Sequence, residues 1–270
     1  MGCGGSKENT LERPGGGRLT IWGDYFNSDT RTILSVLYIA GVPYQLEEID
    51  MFKGDHKKDS YLAINPSGQI PMITEGGFKI LGGNNIFLIY LCNSNQRIKD
   101  KLYPTEARTE IEKHLSWFQS RMRPCAGRLA RMIVHPQAFG DKAPSQAEIK
   151  REQDELFKKL LPSLDQQLIN KKYFCGDEVT IADLQYYNEI STIVTLIKKN
   201  LDESEYPNLA AWFNDRMSQI PDIMILNKKL KEIINKYNFQ FWATAMISLY
   251  YLYLYLCFNV YSINQTLPSP

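Results

Sequence analysis

The stretch Asn65-Pro66-Ser67-Gly68-Gln69-Ile70-Pro71-Met72-Ile73 decides how the chain is read. A polar turn runs into a short apolar strand whose entry carries a proline. Pro71 has no N–H to give a ladder, so it belongs at a strand start or edge. An X-Pro bond in a tight turn is also a candidate for the cis isomer, and the sequence predicts cis at Ile70-Pro71. That geometry turns the N–H and C=O of Ile70 away from the sheet, where an extended peptide can pair with them as an extra half-strand. An ordinary turn leading to an edge strand accounts for the same residues, so the flanking chain has to decide.

Before this stretch, Leu19-Thr20-Ile21-Trp22 reads as a strand and Asp24 to Thr30 as a polar loop. An apolar helical run from Thr32 to Ala40 follows, ended by Gly41. Tyr44 to Asp50 is a second strand, completing a β-α-β unit. After the stretch, Ile73 and Thr74 finish a third strand and Glu75-Gly76-Gly77 makes a hairpin turn. Phe78 to Leu81 is the fourth strand, and Gly82-Gly83-Asn84 opens a helix to Cys92. The order β-α-β then β-β-α is that of a thioredoxin-like α/β domain lacking a CxxC pair. Residues 93–105 are polar and read as a linker. From Glu106 the pattern is helical, with Leu115, Phe118 and Met122 on one face and Leu156, Leu160, Leu161 and Leu164 on another. Thr180 and Asp183 stand at capping-box spacing, with Val179 placed as the hydrophobic staple.

A chain of 270 residues is ample for one large or two ordinary domains. A formal net charge of +1 gives no argument for nucleic acid. Cys3, Cys92, Cys125, Cys175 and Cys257 are scattered, which suits free thiols in a reducing compartment. Neither they nor His56, His114 and His135 have metal-ligand spacing, so no metal site is expected. Met1-Gly2-Cys3-Gly4-Gly5-Ser6 fits N-myristoylation on Gly2 with Cys3 open to palmitoylation. Two acyl chains would anchor the protein stably at cytoplasmic membrane faces; a merely flexible glycine-rich start is the other reading of residues 1–18. Residues 239–261 carry no charge and are rich in leucine and tyrosine. For 239–270 three readings stay open: a membrane-associating helix, a segment folded over the protein, and read-through of untranslated sequence.

Taken together, several motifs resemble the cytosolic glutathione transferases, especially their theta-like members. They are Asn65-Pro66 with Ile70-Pro71, Lys53-Gly54-Asp55-His56, Leu88-Ile89-Tyr90-Leu91, Tyr173-Phe174-Cys175-Gly176 with Thr180-Ile181-Ala182-Asp183, and Tyr206-Pro207-Asn208-Leu209-Ala210-Ala211-Trp212. The resemblance implies a thioredoxin-like glutathione-binding domain over 19–92 and an all-helical domain over 106–238. It further implies glutathione as co-substrate, a small hydrophobic electrophile, a homodimer, and no permanently bound cofactor. Its site residues are Ile70 and Pro71 as a backbone rail, with His56 and Gln69 for one ligand carboxylate. The helix start at Gly83-Asn84 takes the other, and Trp117 and Arg123 face the second-substrate pocket. Arg123 also reads as a surface arginine pairing along its own helix.

Two positions depart from the family. Aligned without a gap from Arg31 to Pro43, the place of the theta-like catalytic serine falls on Asn27. Ser28, one residue on, is the leading candidate for the thiol-activating donor. Asn27, whose amide can donate, and Tyr25 stay open beside it. The acidic-then-serine pair expected before the third helix is Gly83-Asn84, which lacks the carboxylate that would receive the ligand's ammonium group. The expected activity is therefore glutathione conjugation. The alternative is a membrane-tethered binding or scaffold protein that kept the fold and lost the chemistry.

Overall fold

A computed structural model describes residues 17–134 and 144–237. Strands β1 (Thr20–Gly23), β2 (Gln45–Glu48), β3 (Met72–Glu75) and β4 (Phe78–Leu81) form one sheet in the order β2-β1-β3-β4. β1 runs parallel to β2 and antiparallel to β3, and β3 pairs antiparallel with β4. Parallel neighbours need a crossover, which helix α1 (Ser28–Ala40) supplies. The two-residue connection Gly76-Gly77 closes the β3–β4 hairpin, as the sequence predicts. A short helix α2 (Asp59–Leu62) lies between β2 and β3, and α3 (Asn84–Ser94) follows β4.

Helix α1 begins four residues earlier than the predicted Thr32. Asn27 is its N-cap, and the Asn27 side chain accepts the Thr30 N–H at 2.9 Å. Asn, Ser, Asp and Thr all favour caps, so the run Asn27 to Thr30 hides which residue caps. The consequence is chemical, because Ser28 becomes the first helical residue and leaves the loop. Ile33, Leu34, Val36 and Leu37 are buried, and so are Arg31 and Ser35. The helix is covered on both sides because it lies between the sheet and the helical domain. Truncating Leu34 or Leu37 to alanine would cost about 2–5 kcal/mol.

Residues 93–105, expected as a linker, hold helix α4 (Gln96–Leu102). Asn95 caps it by accepting the N–H groups of Arg97 at 3.1 Å and Ile98 at 3.3 Å. Ile98 and Leu102, one turn apart, are fully buried. Its other positions are mostly polar, and that masked the apolar pair in sequence.

The helical domain contains two long rods. In the first, α5 (Arg108–Trp117) runs through a π-helical turn, Phe118–Met122, into α6 (Arg123–Val134). In the second, α7 (Gln146–Glu155) runs through Leu156–Leu160 into α8 (Leu161–Gln167). The predicted faces Leu115, Phe118, Met122 and Leu156, Leu160, Leu161, Leu164 are all buried. Helix α9 (Ile181–Ile197), packed against the first rod and α1, is buried along nearly its whole length. The completely buried Asp183 fixes its start. One carboxylate oxygen accepts the Phe174 N–H at 3.0 Å and the Trp212 indole N–H at 3.1 Å. The other accepts the Thr180 N–H at 3.0 Å and its hydroxyl at 2.9 Å, so the expected capping box is present. Helices α10 (Pro207–Ala210) and α11 (Pro221–Lys236) close the domain. Among the described residues no helix is long and apolar enough to cross a membrane. The acylation sites Gly2 and Cys3, and residues 239–270, lie outside the described residues.

Candidate functional site

The turn before β3 is held from beneath. Buried Asn65 donates its side-chain amide to the Gln69 carbonyl at 2.7 Å, and the Tyr61 hydroxyl donates to the same oxygen at 2.7 Å. Asn65 also accepts the Ser67 hydroxyl at 2.7 Å. Tyr61 drew no attention in the sequence, although its spacing of four from Asn65 within a polar-to-apolar turn was the signal available. The Ile70-Pro71 bond is cis, as the sequence predicts. Ile70 is half-buried and precedes the first residue of β3, so its N–H and C=O lie outside that ladder.

Three neighbours gather around this turn. Asn27 brings its side-chain Nδ2 to 3.5 Å from the Ile70 carbonyl oxygen. Asp24 aims that residue by accepting the Asn27 N–H at 2.7 Å. Burial pushes the Asp24 carboxyl up to about 6, against the lowering influence of the N–H groups of Asn27, Met51 and Phe26. On a second side, a side chain at Gly68 would come within 3.1 Å of the His56 carbonyl, so the His56 loop abuts the turn. On a third, one at Gly82 would come within 3.2 Å of Gln69 Oε1. The start of α3 thus lies beside Gln69.

Ser28 is not in this gathering. Its hydroxyl donates to Glu189 Oε2 at 2.5 Å and accepts from Arg123 Nη1 at 2.6 Å. A hydroxyl carries one proton, and here Glu189 of α9 takes it. Arg123 is committed as well. Its Nη1 pairs with Glu189 at 2.6 Å and its Nη2 with Asp29 at 2.5 Å. Burial alone would discharge Arg123, but Glu189 and Asp29 outweigh it and hold the guanidinium charged. Arg123 does not pair along its own helix; it joins α1 to α9. Completely buried Arg31 is the second bolt between the domains. It donates to the Tyr25 carbonyl at 2.8 Å, the Phe26 carbonyl at 2.7 Å, the Asn188 carbonyl at 2.6 Å and the Thr192 hydroxyl at 2.6 Å. An arginine amid the apolar α1 run was the signal for it.

Tyr25 is also turned elsewhere. Burial, then the neighbouring Tyr38 and Glu48, push its hydroxyl up to about 12. Trp117 is half-buried and packs on the ring of Tyr186, with centroids 6.0 Å apart.

At α3, Gly83 is the N-cap residue, with φ 91° and ψ 112° and no side-chain cap. Gly82 before it has φ 67°. L-residues adopt such values rarely, so the two glycines let the backbone reach the helix start without side chains in the way. First-turn N–H groups of a helix suit an anion. Asn85, the next residue in the helix, is anchored from behind. Its Nδ2 donates to the Leu115 carbonyl at 3.1 Å, and its Oδ1 accepts from Gln119 and Gln185, each at 3.0 Å. His56 is half-buried, and its Nδ1 is buried without a hydrogen-bond partner. Burial, then the charge of Lys57, lower its pKa below the ordinary value. The imidazole is therefore neutral near pH 7, with one N–H to donate. Among the described residues no group of His, Cys, Asp or Glu could hold a metal ion.

Comparison with known proteins bears on this geometry. Profiles of the glutathione S-transferase N-terminal and C-terminal domains match residues 30–92 and 122–221. Mouse glutathione S-transferase theta-2 is 28% identical over 196 residues, covering 72% of this chain and 78% of the relative. Arabidopsis thaliana glutathione S-transferase F9 is 26% identical over 222 residues, covering 82% of this chain and 98% of the relative. Among solved structures, human glutathione transferase theta-2, in complex with glutathione and an unknown ligand, superposes with a TM-score of 0.71. That match has 22% identity and covers 84% of this chain and 91% of the human one. At that identity it speaks for the fold.

Proposed function

The chain belongs to the glutathione S-transferase family, and on that premise we propose that it joins the glutathione thiolate to small hydrophobic electrophiles. The observation that carries this reading is the meeting of the Asn27 amide, the Ile70 backbone and the open start of α3 around one turn. The Ile70 N–H and C=O pair with the cysteinyl backbone. The first-turn N–H groups after Gly83-Asn84 take one carboxylate, while His56 and Gln69 take the other. The match of both glutathione S-transferase domain profiles and of the mouse theta-2 enzyme supports glutathione as the ligand here.

Conjugation requires the thiolate. Lowering a thiol by two pKa units takes about 2.7 kcal/mol of preferential stabilisation of the anion. On this reading Asn27, with its amide turned toward Ile70 at the capped start of α1, supplies part of it. Trp117 lines the electrophile's side. Arg123 acts from behind by holding α1, and Asn27 with it, against α9. The homodimer expected of the family would cover Phe78, Leu81 and Ile86, which stand 54%, 44% and 50% exposed on β4 and α3.

A second reading is a family member that binds but does not conjugate, held at membranes through Gly2 and Cys3. The committed Ser28 hydroxyl and the missing acid at Gly83 favour it. Calorimetric titration of the full chain with glutathione, followed by a conjugation assay with an activated aryl halide, separates the two. Binding with turnover supports the transferase, and binding without turnover supports the second reading. Absence of binding contradicts both.

A further inference from the structure

The loop carrying His56 is tied to the far end of the helical domain. Asp50, just beyond β2, caps the turn Met51–Lys53 by accepting the N–H groups of Phe52 at 3.1 Å and Lys53 at 3.2 Å. Its own N–H donates to Asp55 Oδ2 at 3.1 Å, and the Asp55 N–H returns to the Asp50 carbonyl at 3.1 Å. The loop thus closes on itself beside His56. The second carboxylate oxygen of Asp50 accepts the Tyr237 hydroxyl at 2.5 Å and the Lys236 ammonium at 3.4 Å. The Tyr237 ring also packs on Phe52, centroids 4.8 Å apart, and Phe52 meets Phe26 edge-on at 5.0 Å. Phe26 immediately precedes Asn27. One residue at the end of α11 therefore braces both the His56 loop and, through Phe52, the Asn27 loop.

We propose that Tyr237 is a positioning residue that holds the His56 loop in the conformation that receives a glutathione carboxylate. The proposal rests on the reading of His56 given above. Tyr237 touches no ligand; it acts through Asp50, whose carboxylate would otherwise keep only the longer contact with Lys236 to the helical domain. Because the loop caps itself, losing Tyr237 loosens its placement more than its fold. The expected loss is therefore in glutathione affinity, not in the chemical step.

The test is a double-mutant cycle on the full chain, with Tyr237→Phe, His56→Ala and the double variant. Phenylalanine keeps the ring on Phe52 and removes only the hydroxyl. Tyr237→Phe should raise KM for glutathione about 3- to 10-fold, within the range for losing an ordinary hydrogen bond. It should leave kcat at saturating glutathione unchanged. In the His56→Ala background the same change should alter KM by less than about 1.5-fold, because the group being positioned is gone. Equal losses in both backgrounds would mean that Tyr237 acts elsewhere and would overturn the proposal. A loss with His56→Ala but none with Tyr237→Phe would overturn it while leaving the His56 reading intact. If His56→Ala itself changes nothing, the reading of His56 fails and the proposal with it.

Discussion

Two helix N-termini lie beside the Gln69-Ile70 turn, and they are finished in opposite ways. The start of α1 is filled by the protein itself: Asn27 caps it, and Ser28 and Asp29 are absorbed by Arg123 and Glu189. The start of α3 carries two glycines at positive φ and no side-chain cap. Both ends have the same electrostatics, a partial positive charge and surplus N–H groups. A start closed by the chain's own charges serves domain docking, and a start left open serves a ligand. Asn27 stands at the boundary, with Oδ1 closing the cap and Nδ2 turned toward Ile70.

The comparison breaks most readily at Arg123. Arg123→Met would leave Asp29 and Glu189 buried without their shared cation, and removing one partner of a buried pair costs about 3–5 kcal/mol. Chemical unfolding should show a loss near about 4 kcal/mol. A loss below about 1 kcal/mol would mean that the α1 start is not a docking device.

Asp24 tests the same end through pH. Burial raises its folded pKa to about 6 from an ordinary 3.8. A raised folded value contributes stability that is complete below about 4 and is lost as pH rises through about 6. Asp24→Asn cannot ionise and lacks that loss. Its stability relative to the parent should rise by about 3 kcal/mol between about pH 4 and pH 8. A flat difference would make Asp24 an ordinary solvated carboxylate.

At the open end, Gly83→Ala forces an L-residue to φ 91° and sets its Cβ 3.4 Å from Ile86 Cγ2. Backbone strain of this kind costs about 1–3 kcal/mol. Stability should fall by about 2 kcal/mol, with a loss of glutathione affinity. Unchanged stability and binding would remove the case for glycine at this helix start.

Much of this contrast was legible in advance, and the part that was not has physical causes. The strands, the hairpin, the cis Ile70-Pro71 bond and the α9 capping box follow from local signals: alternation, glycine pairs, proline and short-range spacing. The helical faces of the second domain follow from periodicity. Ser28 misled because four consecutive residues favour an N-cap and only packing against α9 chooses among them. The ties made by Arg123 and Arg31 were not legible because their partners, Glu189 and Thr192, lie far away in sequence. Helix α4 was read as a linker because two buried residues cannot outweigh a polar majority in a pattern. The glycines at 82 and 83 were visible, whereas their place beside Gln69 was not.

The central claim is that Asn27, and not its neighbour Ser28, meets the ligand's sulfur. The direct measurement is the ionisation of bound glutathione, followed by thiolate ultraviolet absorbance against pH in the parent, Asn27→Ala and Ser28→Ala proteins. The account predicts a bound thiol that ionises below the ordinary pKa of about 8.5. It predicts that Asn27→Ala raises that value by about one unit, equal to about 1.4 kcal/mol, while Ser28→Ala leaves it unchanged. A larger shift in Ser28→Ala than in Asn27→Ala would contradict it.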